Sequence, residues 1–337
     1  MTDTATTRVM SPEEIASRQM GDAPQLRFPV TADVFRDRET RLRQLAAGHA
    51  MRDFLIFMAD VCAAQHRALQ AERGGELPAQ TALGDAARAG VPPLTPTLHR
   101  RDAAWREDLS AILAELLPRA GEGPARVIRA LQAADTEHLE RQADRLLNGV
   151  MLGLDLGQAP LIGAALQVYW TRLVHRTQHA HPDLAFGRID DGKVCPCCGS
   201  QPVASIARIG GTETGARYLH CVLCQAEWHM VRIQCAHCAS GRSIFYHETE
   251  AAAADTPRAT AEPPRGTVRA EACEDCHHYL KIMSMDKDAF VDPVADDLAT
   301  LPLDLLTAEA GFQRHGVNFM LLFGAGETAA DSTGGSP

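Results

Sequence analysis

Lysine is almost missing from this chain: Lys193, Lys281 and Lys287 are its three copies, and arginine carries the remaining positive charge. Acidic residues still outnumber basic ones, 43 against 33, for a formal net charge of −10. An acidic chain of this kind is a poor generic binder of nucleic acid or of an anionic membrane surface. Long apolar runs are missing as well. No stretch approaches the roughly eighteen apolar residues that cross a bilayer, and the start, MTDTATTRVMSPEEIASRQM, has no apolar core of a secretory signal. These absences predict a cytoplasmic protein with no nucleic-acid partner and no stable membrane insertion. Catalytic signatures are absent too. There is no G-x-S-x-G, no P-loop and no G-x-G-x-x-G after a strand, and the acidic residues fall mostly on exposed helix faces. The chain is read as no enzyme, with no catalytic and no cofactor-binding side chains.

What is present is length enough for about two domains and a sharp change of character along the 337 residues. Residues 1–24 show no period and read as a disordered N-terminus. Residues 25–187 read as one all-α helical domain. A long helical pattern starts at Thr31, with Thr31 or Asp33 as caps, and places Phe54, Phe57, Met58, Val61 and Cys62 on one face. Residues 74–96, rich in Gly and Pro, read as a connection with little structure. A second helix spans about 101–117, shorter ones about 124–133 and 136–150, and another starts near Pro160. From Val194 onward short strand-like pieces alternate with cysteine pairs: PVASIARIG, ARYLHC, EWHMVRIQC, SIFYH, TVRAEAC and YLKIMSMD. Residues 188–232 read as a first metal ribbon and 233–285 as a second, interrupted by a flexible Ala-, Pro- and Glu-rich loop at 249–267. Residues 286–323 return to helix, with Leu298, Leu301 and Leu305 on one face and a kink at Pro302, and 324–337 read as a disordered tail.

The cysteine pairs are Cys195/Cys198, Cys221/Cys224, Cys235/Cys238 and Cys273/Cys276. A C-x-x-C turn aims two thiolates at one centre, and two such knuckles brought together by a hairpin form the four-sulfur shell that zinc or iron accepts. The first two pairs are separated by one hairpin's length, with Gly210, Gly211 and Gly215 where it should turn. The last two are as well, once the loop is set aside. Nearest-neighbour pairing therefore gives two sites; an interleaved pairing is the alternative, as are unliganded redox thiols. Each site filled by a divalent ion adds a charge of about −2. Cys197 is expected to point away from the metal, and Cys62 to sit in the core. His220, His229, His237, His277 and His278 read as spectators or supporting groups, Trp228 and Tyr218 as packing over the knuckles. Arg217 and Arg232 read either as offsetting the negative charge of the first site or as lying on solvated strands. The class is α+β: an all-α N-terminal domain, two small rubredoxin-like or zinc-ribbon β subdomains, and a C-terminal helix.

The words CPCCGSQPVAS, GARYLHCVLCQAEWHMVRIQCAHC, RAEACEDCHHYLKIM and PVADDLATLPLDLL resemble the FdhE formate dehydrogenase accessory proteins, and TADVFRDRETRLRQLAAGHAMRDFLIFMADVCAAQ is similar to that family's N-terminal helix. The resemblance runs from about residue 25 to 323. It implies a cytoplasmic accessory or chaperone protein that binds the catalytic subunit of a molybdenum- or tungsten-containing formate dehydrogenase during assembly. It implies a rubredoxin-like iron centre, with the eight paired cysteines as ligands of two iron or zinc ions, iron favoured. The long 249–267 loop and Cys197 depart from the family's pattern. Two other functions compete: a rubredoxin-like electron carrier, and a zinc-ribbon nucleic-acid binder. The second lacks a basic footprint, since residues 188–250 hold as many acidic as basic side chains.

Overall fold

The computed structural model describes residues 23–71, 73–183, 186–187, 189–210, 215–249 and 264–322. Most of the segment read as a loose start, most of the 249–267 loop and the tail lie outside these residues. The described ends of the first two are packed. Ala23 is buried, and the Pro24 carbonyl accepts from Tyr218 Oη at 3.0 Å. Thr267 is buried, with its carbonyl accepting from Ser284 N–H at 2.8 Å.

The helical pattern from Thr31 becomes two helices, α1 (Val34–Leu45) and α2 (Arg52–Gln70). They part around Gly48, whose φ of +75° only glycine adopts cheaply. Asp33 stands at the start of α1 but pairs with Arg36 rather than capping the helix. The 74–96 connection is not structureless: it contains α3 (Gln80–Arg88), held by buried Leu83 and Ala86. Two apolar anchors between glycines and prolines are too few to give a visible period. Then follow α4 (Ala104–Leu116), α5 (Glu122–Ala133), α6 (Thr136–Leu147) and α7 (Ala159–Ala180). In α4 the stripe Trp105, Leu109, Ile112, Leu113 and Leu116 is fully buried. Asp135 caps α6, its side chain accepting from His138 N–H at 2.7 Å. The central helix is α7, buried on almost every side, as expected of a helix apolar all round. Its Arg172 makes a two-pronged bond to buried Asp108, at 2.8 and 2.9 Å. Among the described residues no helix is long and apolar enough to cross a membrane.

The strands are β1 (Leu26–Arg27), β2 (Pro202–Ala207), β3 (Arg217–Cys221), β4 (Glu227–Met230), β5 (Ile244–His247), β6 (Val268–Cys273), β7 (His278–Ser284) and β8 (Gln313–Arg314). All join one sheet in the order β1-β4-β3-β2-β7-β6-β5, with β8 beside β7. Each ribbon is an antiparallel meander. The two are joined edge to edge where β2 and β7 pair in parallel, Ser205 opposite Ile282 and Ala207 opposite Ser284. Arg217 bolts the seam. It is fully buried, pairs with Glu271 on β6 at 2.8 Å, and donates to the Gln234 carbonyl at 2.9 Å. The solvated-strand reading of Arg217 does not hold, because the neighbouring ribbon covers it. Arg232 is exposed.

The C-terminal helix is two pieces, α8 (Ala295–Ala299) and α9 (Leu301–Glu309), divided at Thr300. Pro302 sits in the first turn of α9, where a missing N–H costs nothing. The direction changes there, so Leu298 is buried while Leu305 is 63% exposed, and the expected common face is not formed. Two buried carboxylates on α8 gather cations from elsewhere. Asp296 takes Arg41 of α1 at 2.6 Å. Asp297 takes Arg314 at 2.8 Å and Lys281 of β7 at 3.2 Å. Lys281, with its side chain fully buried, also reaches Asp304 at 2.5 Å. Removing one partner of a buried ionic cluster strands the other. Lys281→Met should therefore lower unfolding free energy by about 3–5 kcal/mol, read as a shifted urea midpoint; an unchanged midpoint would show that Arg314 alone satisfies both carboxylates.

Candidate metal centres

Each C-x-x-C turn is built the same way, and the backbone does most of the building. In the first, Cys195 N–H bonds the Ser200 carbonyl at 2.9 Å and Gly199 N–H bonds the Cys195 carbonyl at 2.8 Å. The second closes with Cys221 N–H on the Ala226 carbonyl at 2.9 Å, while the N–H groups of Leu223 and Cys224 both point at Cys221 Sγ at 3.4 Å. The third repeats the first: Cys235 N–H to Ser240 at 2.8 Å, Ala239 N–H to Cys235 at 2.9 Å, and His237 N–H to Cys235 Sγ at 3.4 Å. In the fourth, His277 N–H bonds the Cys273 carbonyl at 2.9 Å. The residue after each second cysteine is left-handed: Gly199 at φ +71°, Gln225 at +62°, Ala239 at +62° and His277 at +56°. That twist turns the chain back so that backbone N–H groups face the sulfurs.

The four knuckles meet in two groups. Cys195, Cys198, Cys221 and Cys224 come together, with Cys195 and Cys224 sulfurs 3.5 Å apart and Cys198 and Cys221 sulfurs 3.4 Å apart. Cys235, Cys238, Cys273 and Cys276 form the other group, with contacts of 3.7 Å between Cys235 and Cys276 and 3.8 Å between Cys238 and Cys273. A tetrahedral ion with metal–sulfur bonds of about 2.3 Å needs sulfur–sulfur edges of about 3.8 Å. The donor sets therefore fit a tetrahedral zinc or iron ion, and each group could hold one. The grouping is that of neighbouring pairs in the sequence.

Proton affinities agree. Burial and hydrogen bonding to Cys195 push the thiols of Cys221 and Cys224 up, and the surrounding thiols hold Cys195 well below the usual range in spite of its burial. In the second group burial pushes Cys235 and Cys276 up, whereas Cys238, although burial opposes it, is lowered by the Ser240 N–H and the neighbouring thiols. Four thiolates this close need a cation among them.

The two centres differ in their surroundings. All four sulfurs of the first are buried, and the helical domain holds the knuckles. Gln167 of α7 donates to the Val222 carbonyl at 2.8 Å, and Leu94 N–H donates to the Cys197 carbonyl at 3.0 Å. Trp170 Nε1 in turn holds the Leu94 carbonyl at 2.9 Å. In the second, Cys238 is exposed and Cys276 half-buried. Cys197, expected to point away from the metal, lies within the first knuckle. It is fully buried and is not one of the four mutually close sulfurs. Cys62 is buried on α2.

The histidines fall outside the four-sulfur groups. His220 bonds Glu227 at 3.1 Å and Gln225 at 3.2 Å. His229 packs edge-on to Tyr218, and His277 closes the fourth knuckle. His237 and His278 lie near Cys276, close enough for the three to share an ion. Their rings are stacked, however, with centroids 3.7 Å apart and planes 15° from parallel, so their in-plane lone pairs do not converge. His278 Nδ1 is also engaged with the Cys276 carbonyl at 2.7 Å. They suit a supporting role. Trp228 Nε1 donates to the Gly192 carbonyl at 2.8 Å, fixing the approach to the first knuckle.

The fold and its two centres define a cysteine-knuckle protein carried on a helical platform. Family models for FdhE match in three consecutive parts: N-terminal over residues 23–183, central domain over 194–232 and C-terminal domain over 233–321. A protein FdhE homolog of Edwardsiella ictaluri is 37% identical over 91% of this chain and 94% of its own. Protein FdhE of Escherichia coli is 34% identical over 95% of this chain and 99% of its own. The crystal structure of the FdhE protein from Pseudomonas aeruginosa superposes with a TM-score of 0.79 at 34% identity, covering 90% of this chain and all of that one. The chain belongs to the FdhE family, the formate dehydrogenase accessory proteins that its sequence resembles.

Two outcomes follow from the geometry. Full-length protein loaded with metal should release one ion readily to a chelator and the other only on unfolding. Cys238→Ala should keep the fold with one ion bound, whereas Cys221→Ala should unfold; equal release rates from both centres would contradict the difference in burial. Ala239→Gly removes a left-handed alanine from a knuckle and should raise stability by about 1 kcal/mol, seen as a higher melting temperature of the loaded protein.

Proposed function

We propose that this protein is a non-catalytic accessory factor for assembly and activation of a formate dehydrogenase, binding the enzyme's catalytic subunit in the cytoplasm. Membership of the FdhE family over nearly the whole chain carries this reading. The eight paired cysteines are assigned as ligands of two metal ions, with iron preferred to zinc on the family resemblance. The first centre would stiffen the junction of helices and sheet. The second, with Cys238 at the surface, is the one that could meet a client or exchange electrons. That exposure is also what favours a rubredoxin-like electron carrier as the second reading. A colourless protein carrying stoichiometric zinc would remove the redox readings and leave the accessory role.

Deleting the gene should abolish formate dehydrogenase activity while the catalytic subunit is still made; unchanged activity would reject the proposal. Tagged native protein should recover that subunit. Recovery should weaken for Cys238→Ala, which leaves the buried centre intact, and for the Cys221→Ala/Cys224→Ala double variant, which does not.

A further inference from the structure

A cavity of about 390 Å³ opens in the helical half, between the end of α2, the turn that follows it and the later turns of α7. Its wall carries Arg73, Arg172, Arg176 and His175, and among the described residues no carboxylate lines it. The chain as a whole is acidic, at −10, so three guanidinium groups without a facing carboxylate stand out. Leu69 and Ala71 supply the apolar part of the wall, and no cysteine of either metal centre reaches it. Burial and His179, whose ring lies 4.2 Å away, push the proton affinity of His175 down, so it offers a neutral ring.

The charges of the wall do not cancel. Arg172 and Arg73 share the single carboxylate of Asp108, whose side chain is fully buried. Glu107 comes only within 4.0 Å of Arg73 and is 65% exposed, so water and salt screen it. Arg176 has no ion pair among the described residues. Its Nη1 donates to the Gly75 carbonyl at 3.0 Å. Its Nε and Nη2 make no hydrogen bond and are not enclosed by protein, so they remain open to an incoming acceptor. Asp102, across Gly75, already accepts from the N–H groups of Glu76 and Ala104, each at 2.8 Å. The negative pole of α2 is blunted here as well: Arg172 takes the Ala68 carbonyl at 2.7 Å, and Arg73 N–H takes that of Ala71 at 2.8 Å. Three guanidinium groups against one enclosed carboxylate leave two positive charges over.

We propose that this cavity binds the phosphate group of a small phosphate ester, with Arg176 Nε and Nη2 as the direct donors, Arg73 and Arg172 supplying the surrounding positive field, and the organic part lying on Leu69 and Ala71. A guanidinium fork matches two phosphate oxygens at once, and two surplus charges suit a dianion better than a single carboxylate. Small-molecule pockets begin at about 300 Å³, so this one has room for an organic group beside the phosphate. The site is separate from both metal centres and stands whether or not formate dehydrogenase is the client.

The test is isothermal titration of metal-loaded, full-length protein with phenyl phosphate, inorganic phosphate, benzoate and phenol. Phenyl phosphate should fill one site per chain, more tightly than inorganic phosphate and about ten-fold or more tighter than benzoate, while phenol should not bind. Arg176→Met should weaken phenyl phosphate about ten-fold or more, since a charge-assisted bond is lost. Gln70 is exposed on the rim, where its Nε2 donates to the Thr31 carbonyl. Gln70→Glu sets a carboxylate beside the guanidinium groups and should weaken binding several-fold, even if the Arg176 variant fails to fold. Gln70→Met loses the same bond without adding charge and should bind as the unaltered protein does. Vesicles bearing phosphatidate form a second arm. Equal affinity for benzoate, undiminished binding by the folded Gln70→Glu variant, or capture on the vesicles without binding of phenyl phosphate would each overturn the proposal.

Discussion

Crowding of sulfur governs this molecule. Eight cysteine side chains are pressed into two groups with sulfur–sulfur contacts of 3.4–3.8 Å. Neutral thiols tolerate that spacing without gaining much from it, and four thiolates repel unless a cation sits among them. Every surrounding feature serves the crowding. The knuckle N–H groups aim at sulfur, the twist at the end of each knuckle reverses the chain, and in the first centre α7 and the stretch before α4 hold the knuckle carbonyls. The helical half is therefore part of the wall of a centre whose cysteines all lie in the other half. This explains why a chain long enough for separate domains shares buried contacts between its halves, including Arg38 with Asp292 and Arg41 with Asp296.

The cysteine pattern was the most legible part of the sequence because its signal is positional: two residues between the cysteines of a knuckle, one hairpin between knuckles. The strands were legible for the same reason, lying between turn residues and cysteines. What escaped had no local signal. Gln225, Ala239 and His277 adopt a conformation usually marked by glycine, and only Gly199 announced it. Their strain, of order 1 kcal/mol each, is outweighed by the hydrogen bonds and close sulfurs that require it, which local propensity does not reveal. The parallel seam between β2 and β7 joins segments some seventy-five residues apart in sequence. Arg217 looked like a surface charge because its partner Glu271 lies on the other ribbon. In α3, burial rests on two residues that make no period. Leu305 missed its expected face because Pro302 starts a new helix rather than bending an old one.

The unequal burial of the two centres separates their possible uses. A metal ion enclosed by Cys195, Cys198, Cys221 and Cys224 exchanges only when helix and sheet part, so its free energy of binding is added to that of the fold. At the other centre an ion would have water or a partner within reach of Cys238, and the histidines His237, His278 and His315 stand beside it rather than a packed core. A chain needing only rigidity could have used two enclosed centres. The open one leaves Cys238 at the surface.

Gln225 and His220 place the enclosed centre's second knuckle beside the buried Arg38. Gln225 is the left-handed residue that closes the second knuckle, its Nε2 donates to the Val222 and Leu223 carbonyls at 3.2 Å, and its Oε1 lies 3.2 Å from His220 Nε2. His220 reaches Arg38 on one side and directly precedes Cys221 on the other. His220 Nε2 either accepts from Arg38 or donates to Gln225 Oε1, so the ring engages one of the two at a time beside the loop carrying two of the four sulfurs.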